Sequence, residues 1–314
     1  MMRLKYLIMA SLCCIGSMHA YIYELKVMRC WDEKSNGYKY CLLCSDFHDK
    51  THTETEKQLT KLDAFLTKAD KKSYKIVLED LSSCGSDGRE SCGRYFVNSR
   101  GGILGGLAQK CQGMGFQVDN VEYRRCRVAS LGPVLNNLKE KPAKFPSSAG
   151  IKIAALSTEI DAMMLEIDSY CDGEVMGSCY KNNVSQVREH LAHLKQDKHQ
   201  DMSVAEFIEH SSTNKDRLEL LNHLLTFDSC LLDIKMVHNV LNSTTPKVMV
   251  IAGGAHAARV SQMLEKVGYQ TIHATDVSFY NEYDLSKCVG STVVNGSYCV
   301  RPQPIDLGCL DEYV

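Results

Sequence analysis

The chain is poor in tryptophan and proline, carries no excess of positive charge, and has no later apolar run of transmembrane length. One Trp and six Pro among 314 residues exclude long proline-rich linkers. Lys and Arg total 36 against 38 Asp and Glu, so the net charge is -2. Because no basic surplus is present to neutralise phosphates, we expect no nucleic-acid partner. The hydrophobic share of 44% is that of a globular protein with a substantial core.

The first twenty residues are typical of a secretory signal peptide. Arg3 and Lys5 precede an apolar run of eleven residues, Tyr6–Gly16, which a cleavage-like region follows. A membrane-spanning helix takes about 20 residues, so this run is short for a span. An N-terminal anchor and a first buried strand are the alternatives. We predict a signal peptide over 1–20 and a secreted or periplasmic mature chain, 21–314, with no transmembrane span.

The cysteines fit an oxidising compartment. Thirteen of the fifteen follow the predicted signal peptide, and an odd number leaves at least one thiol without an intrachain partner. Cys41 and Cys44 form a CxxC pattern inside an apolar, strand-like run, where residues three apart point to opposite faces. We therefore interpret them as buried cysteines rather than zinc ligands or a redox pair. Three other pairs are spaced to close disulfide-bonded loops: Cys84 and Cys92, Cys171 and Cys179, Cys288 and Cys299.

Alternating short apolar runs and helical patterns predict an α/β fold, with a mainly parallel sheet flanked by helices. A helical insertion over 147–242 separates the two halves of the sheet, because apolar residues there recur at spacings of three and four. Ser203 and Glu206 fit a capping box within it. A cysteine-bearing tail over 277–314 completes the single domain. The predicted strands are 38–44, 74–78, 116–123, 247–252 and 270–274.

Polar side chains follow several of these strands. His48 and His256 each come after an apolar strand and a tight turn, and we expect each to begin a helix. Glu79 closes a second strand, and at the end of a third either Glu122 or Arg124 is placed at the same edge. The carboxyl ends of parallel strands share one edge of a sheet, and ligands bind in the crevice beyond that edge. Imidazole and carboxylate groups there can hold a divalent metal or act as a general base, and an arginine stabilises developing negative charge.

These motifs resemble those of the TIKI/TraB/ChaN-like/erythromycin-esterase-like superfamily. The segment from Ser45 to Asp49, followed by His52, is similar to the first motif of the ChaN-like branch. Glu79 matches the strand-terminal glutamate of the superfamily, and the Gly-Gly-Ala-His run ending at His256 matches its C-terminal motif. The chain departs from the pattern in two positions, where Ser45 and Asp46 replace Gly and Glu. It also lacks a clear Glu-Arg-Asn helix, for which the segment from Asp233 to Lys235 is the nearest counterpart.

The resemblance implies a fold and a site more than a reaction, since the superfamily includes metal-dependent proteases, haem-binding lipoproteins and macrolide esterases. A hydrolase acting on a small molecule or peptide is one expectation, with His48 and Glu79 activating water directly or through Mn, Co or Zn. His256 then serves as a metal ligand or an oxyanion partner. The alternatives are a haem or small-ligand binding protein and a catalytically silent interaction domain. The predicted site comprises His48, Glu79 and His256, which are also the predicted metal ligands, with Asp46 and Arg124 in catalytic support and His52 in cofactor binding.

Overall fold

The structure is a computed structural model, and it describes only part of the chain. The described residues are 19–49, 55–79, 107–121, 152–170, 185, 188–189, 192, 197–203, 206–207, 230–276, 279–280, 292–294, 298–302 and 304–313. The loop disulfides predicted from the sequence lie outside the residues whose side chains are described. So does the predicted signal peptide, apart from the backbone of its last two residues, His19 and Ala20, which begin the first strand. The signal peptide remains a prediction.

A mixed six-stranded sheet forms the centre of the fold, in the order β4-β3-β5-β2-β1-β6. The pairs β4–β3, β3–β5 and β5–β2 are parallel, whereas β2–β1 and β1–β6 are antiparallel. The predicted α/β class is confirmed, but the prediction of a mainly parallel sheet is wrong. The strands are β1 (His19–Asp32), β2 (Gly37–Asp49), β3 (Tyr74–Leu78), β4 (Gln117–Asn120), β5 (Lys247–Gly253) and β6 (Gln270–Ala274).

The antiparallel part arises from a long hairpin that the sequence reading missed. β1 and β2 pair along their whole length, from His19 opposite Asp49 to Asp32 opposite Gly37. Asn36 closes the connecting turn with a φ of 48°, a left-handed conformation that asparagine tolerates better than most residues. Because β1 inserts between β2 and β6, the sheet gains an antiparallel strand where a run of parallel crossovers was expected.

Helices cover both faces of this sheet. Between β4 and β5 the described residues are mainly helical, and the strand-like contact there is an isolated bridge between Lys152 and Ser203. Ser203 and Glu206 cap each other's backbone N–H groups, which confirms the predicted capping box. The helices are α1 (Thr55–Lys68), α2 (Leu107–Gly113), α3 (Ile153–Tyr170), α4 (Asp197–Gln200), α5 (residues 230–241) and α6 (Gly254–Lys266).

The C-terminal tail contains regular structure, and its 3-10 helix packs on the sheet. Its described parts include a small antiparallel sheet of β7 (Phe279–Tyr280), β8 (Thr292–Val294) and β9 (Tyr298–Pro302), and a 3-10 helix (Leu307–Tyr313). In that helix Leu307 is buried against the same face as α1.

Two hydrophobic layers sandwich the sheet. One contains residues of α3, α5 and α6, and the other contains residues of α1, α2 and the 3-10 helix. Cys41 and Cys44 lie in different layers and are fully buried, so their predicted placement on opposite faces is confirmed. Burial raises the pKa of Cys41 to about 12. The six cysteines whose side chains are described are free thiols.

Candidate active site

Glu79 and His256 meet at the carboxyl edge of the parallel strands. Glu79 directly follows β3, and its backbone N–H donates to the carbonyl of Ile251 in β5, which continues the strand pairing. His256 is the third residue of α6, which begins where β5 ends. Its Nε2 lies 3.8 Å from Glu79 Oε1. The two side chains, 3% and 10% exposed, are therefore held together at the edge where the sequence predicted a site.

The other nitrogen of His256 contacts Asp233, a fully buried residue of α5. The distance from His256 Nδ1 to Asp233 Oδ1 is 2.7 Å. Arg259 lies one turn along α6 from His256, and its Nε donates to Asp233 Oδ2. Its Nη2 is also 3.1 Å from His256 Nδ1, but Nη2 and a protonated Nδ1 are both donors. We assign the proton to Nδ1, because the carboxylate is the nearer and the negatively charged partner. Asp233 then fixes the tautomer that leaves a lone pair on Nε2.

The Glu79 carboxylate binds the backbone at the end of β5. The N–H of Gly253 donates to Glu79 Oε2 at 2.8 Å. A Cβ atom at Gly253 would lie 3.4 Å from that oxygen and 3.9 Å from His256 Cδ2, both ordinary van der Waals distances. One carboxylate oxygen is thus anchored, and the other, Oε1, is directed towards the imidazole.

Asp46 lies at the same edge, on the neighbouring strand. It is 2% exposed and is paired in register with Gly253 across the parallel β2–β5 contact. The residue before it, Ser45, is 1% exposed and donates to Glu24 Oε2 at 2.8 Å. The two positions at which the chain departs from the superfamily pattern therefore lie beside the site rather than at a distance from it.

The remaining predicted residues are only partly located. The backbone of His48 belongs to β2, opposite Ala20, so the expectation that His48 begins a helix is wrong. Helix α1 is described from Thr55 onwards. The side chain of His48, like His52 and Arg124 as a whole, lies outside the described residues, and their roles stay predictions.

Asp233 and Arg259 were not assigned to the site from the sequence. Asp233 lies 23 residues before His256, its partner, within an apolar helical pattern. Such a pattern does not show which other element the carboxylate contacts. A signal was present, because a carboxylate among the buried residues of such a helix requires a partner. Arg259 also follows His256 at a spacing of three, which places both on one helix face.

A metal would need more ligands than the described part of this site provides. Asp233 contacts Nδ1 of His256, the Gly253 N–H donates to Oε2 of Glu79, and Nε2 and Oε1 face each other at 3.8 Å. Catalytic zinc sites use three protein ligands. Among the residues that the structure describes, no group of three or more His, Cys, Asp or Glu is arranged to hold a metal ion. The described residues do not fit a metal by themselves, and the predicted set that includes His48 remains a prediction.

No protein-family model, curated protein or solved structure matches this chain. The superfamily resemblance therefore rests on the motifs alone. Within the described segments, no helix has both the length and the apolar character needed to cross a membrane.

Proposed function

We propose that the protein is a hydrolase in which His256 and Glu79 activate a water molecule for attack on a small-molecule or peptide substrate, outside the cytoplasm. The observation that carries the proposal is the line of three buried groups, Asp233, His256 and Glu79, at the carboxyl edge of the parallel strands. An imidazole oriented by one carboxylate and facing another group across a gap is an arrangement suited to general base catalysis.

The gap between His256 and Glu79 suits one water. The atoms Nε2 and Oε1 are 3.8 Å apart, beyond a direct hydrogen bond. A water oxygen about 2.8 Å from both atoms would sit roughly 2 Å to the side of the line that joins them. From there the water can donate one proton to Nε2 and the other to Oε1, which leaves its lone pairs directed at an incoming carbonyl or phosphoryl centre.

The chain's own residues account for the proton transfers in this scheme. His256 takes a proton from the attacking water at Nε2 and returns it to the leaving group. The carboxylates of Asp233 and Glu79 stabilise the imidazolium that exists between these steps. Glu79 keeps its orientation because the Gly253 N–H binds its second oxygen. We expect Arg124 and His48, if they lie at this edge, to contact the substrate.

The alternatives fit the described geometry less well. Haem ligation by His256 needs a ring nitrogen open to the iron, whereas Nδ1 is bonded and Nε2 faces a carboxylate. A silent interaction domain has no use for buried ionisable groups, whose desolvation costs free energy that pairing does not always restore. Asp233, at 0% exposed, is such a group.

A substrate screen tests the proposal. The full chain, purified from a secretory host, is assayed against chromogenic esters, amides and phosphate esters, and its metal content is measured. We expect turnover that falls about 10²–10⁴-fold in His256→Gln and Glu79→Gln, the range typical of a lost general base. His273→Gln, at a partly buried histidine of β6, is the matched control and should retain activity. Turnover that survives His256→Gln would contradict the scheme, and stoichiometric bound metal would replace it with metal-assisted chemistry.

A further inference from the structure

A β-bulge in β1 places Tyr23 outside the regular strand pairing. Ile22 lies opposite Asp46 and Glu24 lies opposite Ser45, so Tyr23 is an extra residue without a partner position on β2. A bulge of this kind changes the direction of a side chain and often occurs beside active sites. Tyr23 packs against the same hydrophobic layer as Tyr21 and Leu25.

The tyrosine reaches the first residue of α6. A Cβ atom built on Gly254 would lie 1.9 Å from the Tyr23 hydroxyl oxygen and 2.8 Å from its Cζ, so the phenol occupies the place of a side chain at position 254. Strand β2 lies between β1 and β5. Two spacings of about 4.8 Å separate β1 from β5, a distance that needs a long side chain.

Hydrogen bonds hold the phenol in this position. The Tyr23 hydroxyl is hydrogen-bonded to Ser45, and the single hydroxyl proton of Ser45 goes to Glu24. Burial, followed by the nearby charge of Glu24, raises the pKa of Tyr23, so its hydroxyl keeps its proton at neutral pH.

We propose that Tyr23 is a positioning residue of the candidate active site, which fixes the first turn of α6 by packing its hydroxyl on Gly254. Gly253, the N-cap residue of α6, has no side chain to cap that turn. From the side of β3, Glu79 binds the N–H of Gly253, and from the side of β1, Tyr23 contacts Gly254. His256 follows two residues later. The start of α6 is thus held on both sides, and the contacts of His256 with Asp233 and Glu79 depend on where it is held.

The catalytic meaning of this role rests on the proposed function. The contact itself does not, because the position of His256 can be measured without a substrate. The proton on His256 Nδ1, bonded to Asp233, gives a low-field proton NMR resonance, which is assigned by its loss in His256→Gln. Its chemical shift reports the Asp233 contact, and its exchange rate with solvent reports local opening of the site. A protein that hydrolyses nothing can still show or lack this signature.

Four variants test the contact from both sides. Tyr23→Ala removes the support, and we expect the exchange of the Nδ1 proton to accelerate about tenfold. Gly254→Ala drives a methyl group into the phenol, and the resonance should shift. The double variant removes the clash, so its shift should lie nearer to that of the natural chain. Tyr40→Ala, which removes a partly buried tyrosine at the far end of the hairpin, is the control and should leave the resonance unchanged.

Two results would overturn the proposal. The first is an exchange rate in Tyr23→Ala that equals the rate in Tyr40→Ala. The second is a Gly254→Ala shift that the added Tyr23→Ala change does not reduce. If Tyr23→Ala does not fold, Tyr23→Phe decides, because it removes only the hydroxyl. Faster exchange in Tyr23→Phe then supports the role, and an unchanged rate refutes it.

Discussion

Replacing Asp233 with asparagine tests the polar centre of the site through stability alone. Asn has nearly the same shape as Asp, so the substitution removes charge without opening a cavity. Asp233 is 0% exposed and accepts from both His256 Nδ1 and Arg259 Nε. After the change, the amide can still accept from one donor but presents its own N–H groups to the other. We therefore expect the free energy of unfolding to fall.

The expected loss is about 2–3 kcal/mol. A hydrogen bond to a charged group contributes about 1.5–3 kcal/mol and a neutral one about 1, so His256 loses roughly 1 kcal/mol. On the side of Arg259, the new amide N–H faces the guanidinium N–H, and both are donors. The hydrogen bond that is lost there adds about 1–2 kcal/mol to the destabilisation. This second contribution stays at the lower end because the Arg259 side chain is 38% exposed and water can replace its partner.

Urea unfolding followed by far-ultraviolet circular dichroism measures this loss, provided that the slope with denaturant is the same in both proteins. Asp311→Asn is the control, because Asp311 pairs with Lys68 on the surface with a side chain 59% exposed. Such pairs contribute about 0–1 kcal/mol. The argument fails if Asp233→Asn costs no more than this control. It also fails if Arg259→Gln costs more than Asp233→Asn, since the exposed partner would then dominate.

Three further predictions concern the scaffold. Gln58→Ala should lower the free energy of unfolding by about 2–4 kcal/mol in the same urea assay. The reason is that the buried Gln58 amide makes three hydrogen bonds of 2.7–2.8 Å to the backbones of β1 and the C-terminal segment. A loss no larger than that of the same substitution at a surface glutamine would contradict this. Cys41 should resist alkylation at pH 8 in the folded protein and react on unfolding, as mass spectrometry of labelled peptides will show, since burial raises its pKa to about 12. Burial also raises the pKa of Tyr74 in the folded protein. The contribution of Tyr74 to stability should therefore be fully present below the tyrosine pKa of the unfolded chain, about 10, and should fall as the pH rises above it. Tyr74→Phe should reduce that alkaline loss in a pH series of thermal unfolding.

The parts of the fold that were predictable from the sequence are those set by local periodicity. The period of two predicted that Cys41 and Cys44 point to opposite faces of the sheet, and they lie in different hydrophobic layers. The rule that parallel strands share a carboxyl edge brought Glu79 and His256 together across 177 residues, and they lie 3.8 Å apart. Neither inference needed knowledge of a distant partner, because strand direction alone fixes the edge.

The antiparallel strand β1 was not predicted, because it begins at His19, within the segment that resembles a signal peptide. The cue was nevertheless local, since Asn36 and Gly37 form the dipeptide typical of tight hairpins. Tyr23 could not have been placed in the same way. Its position depends on a bulge, and a bulge shifts the pairing by one residue without leaving a mark in the apolar pattern.

The desolvation free energy of the buried ionisable groups is the strongest physical reason to assign the site a function. Asp233, Glu79, Asp46 and His256 are all buried, at an edge where apolar residues would pack without a desolvation penalty. Replacing buried ion pairs with apolar residues of similar volume is often neutral or stabilising. Selection for stability alone therefore does not explain why four ionisable groups lie here. The general base catalysis that we propose for His256 would explain it, because a general base needs a partner that fixes its tautomer and a second group that orients the water.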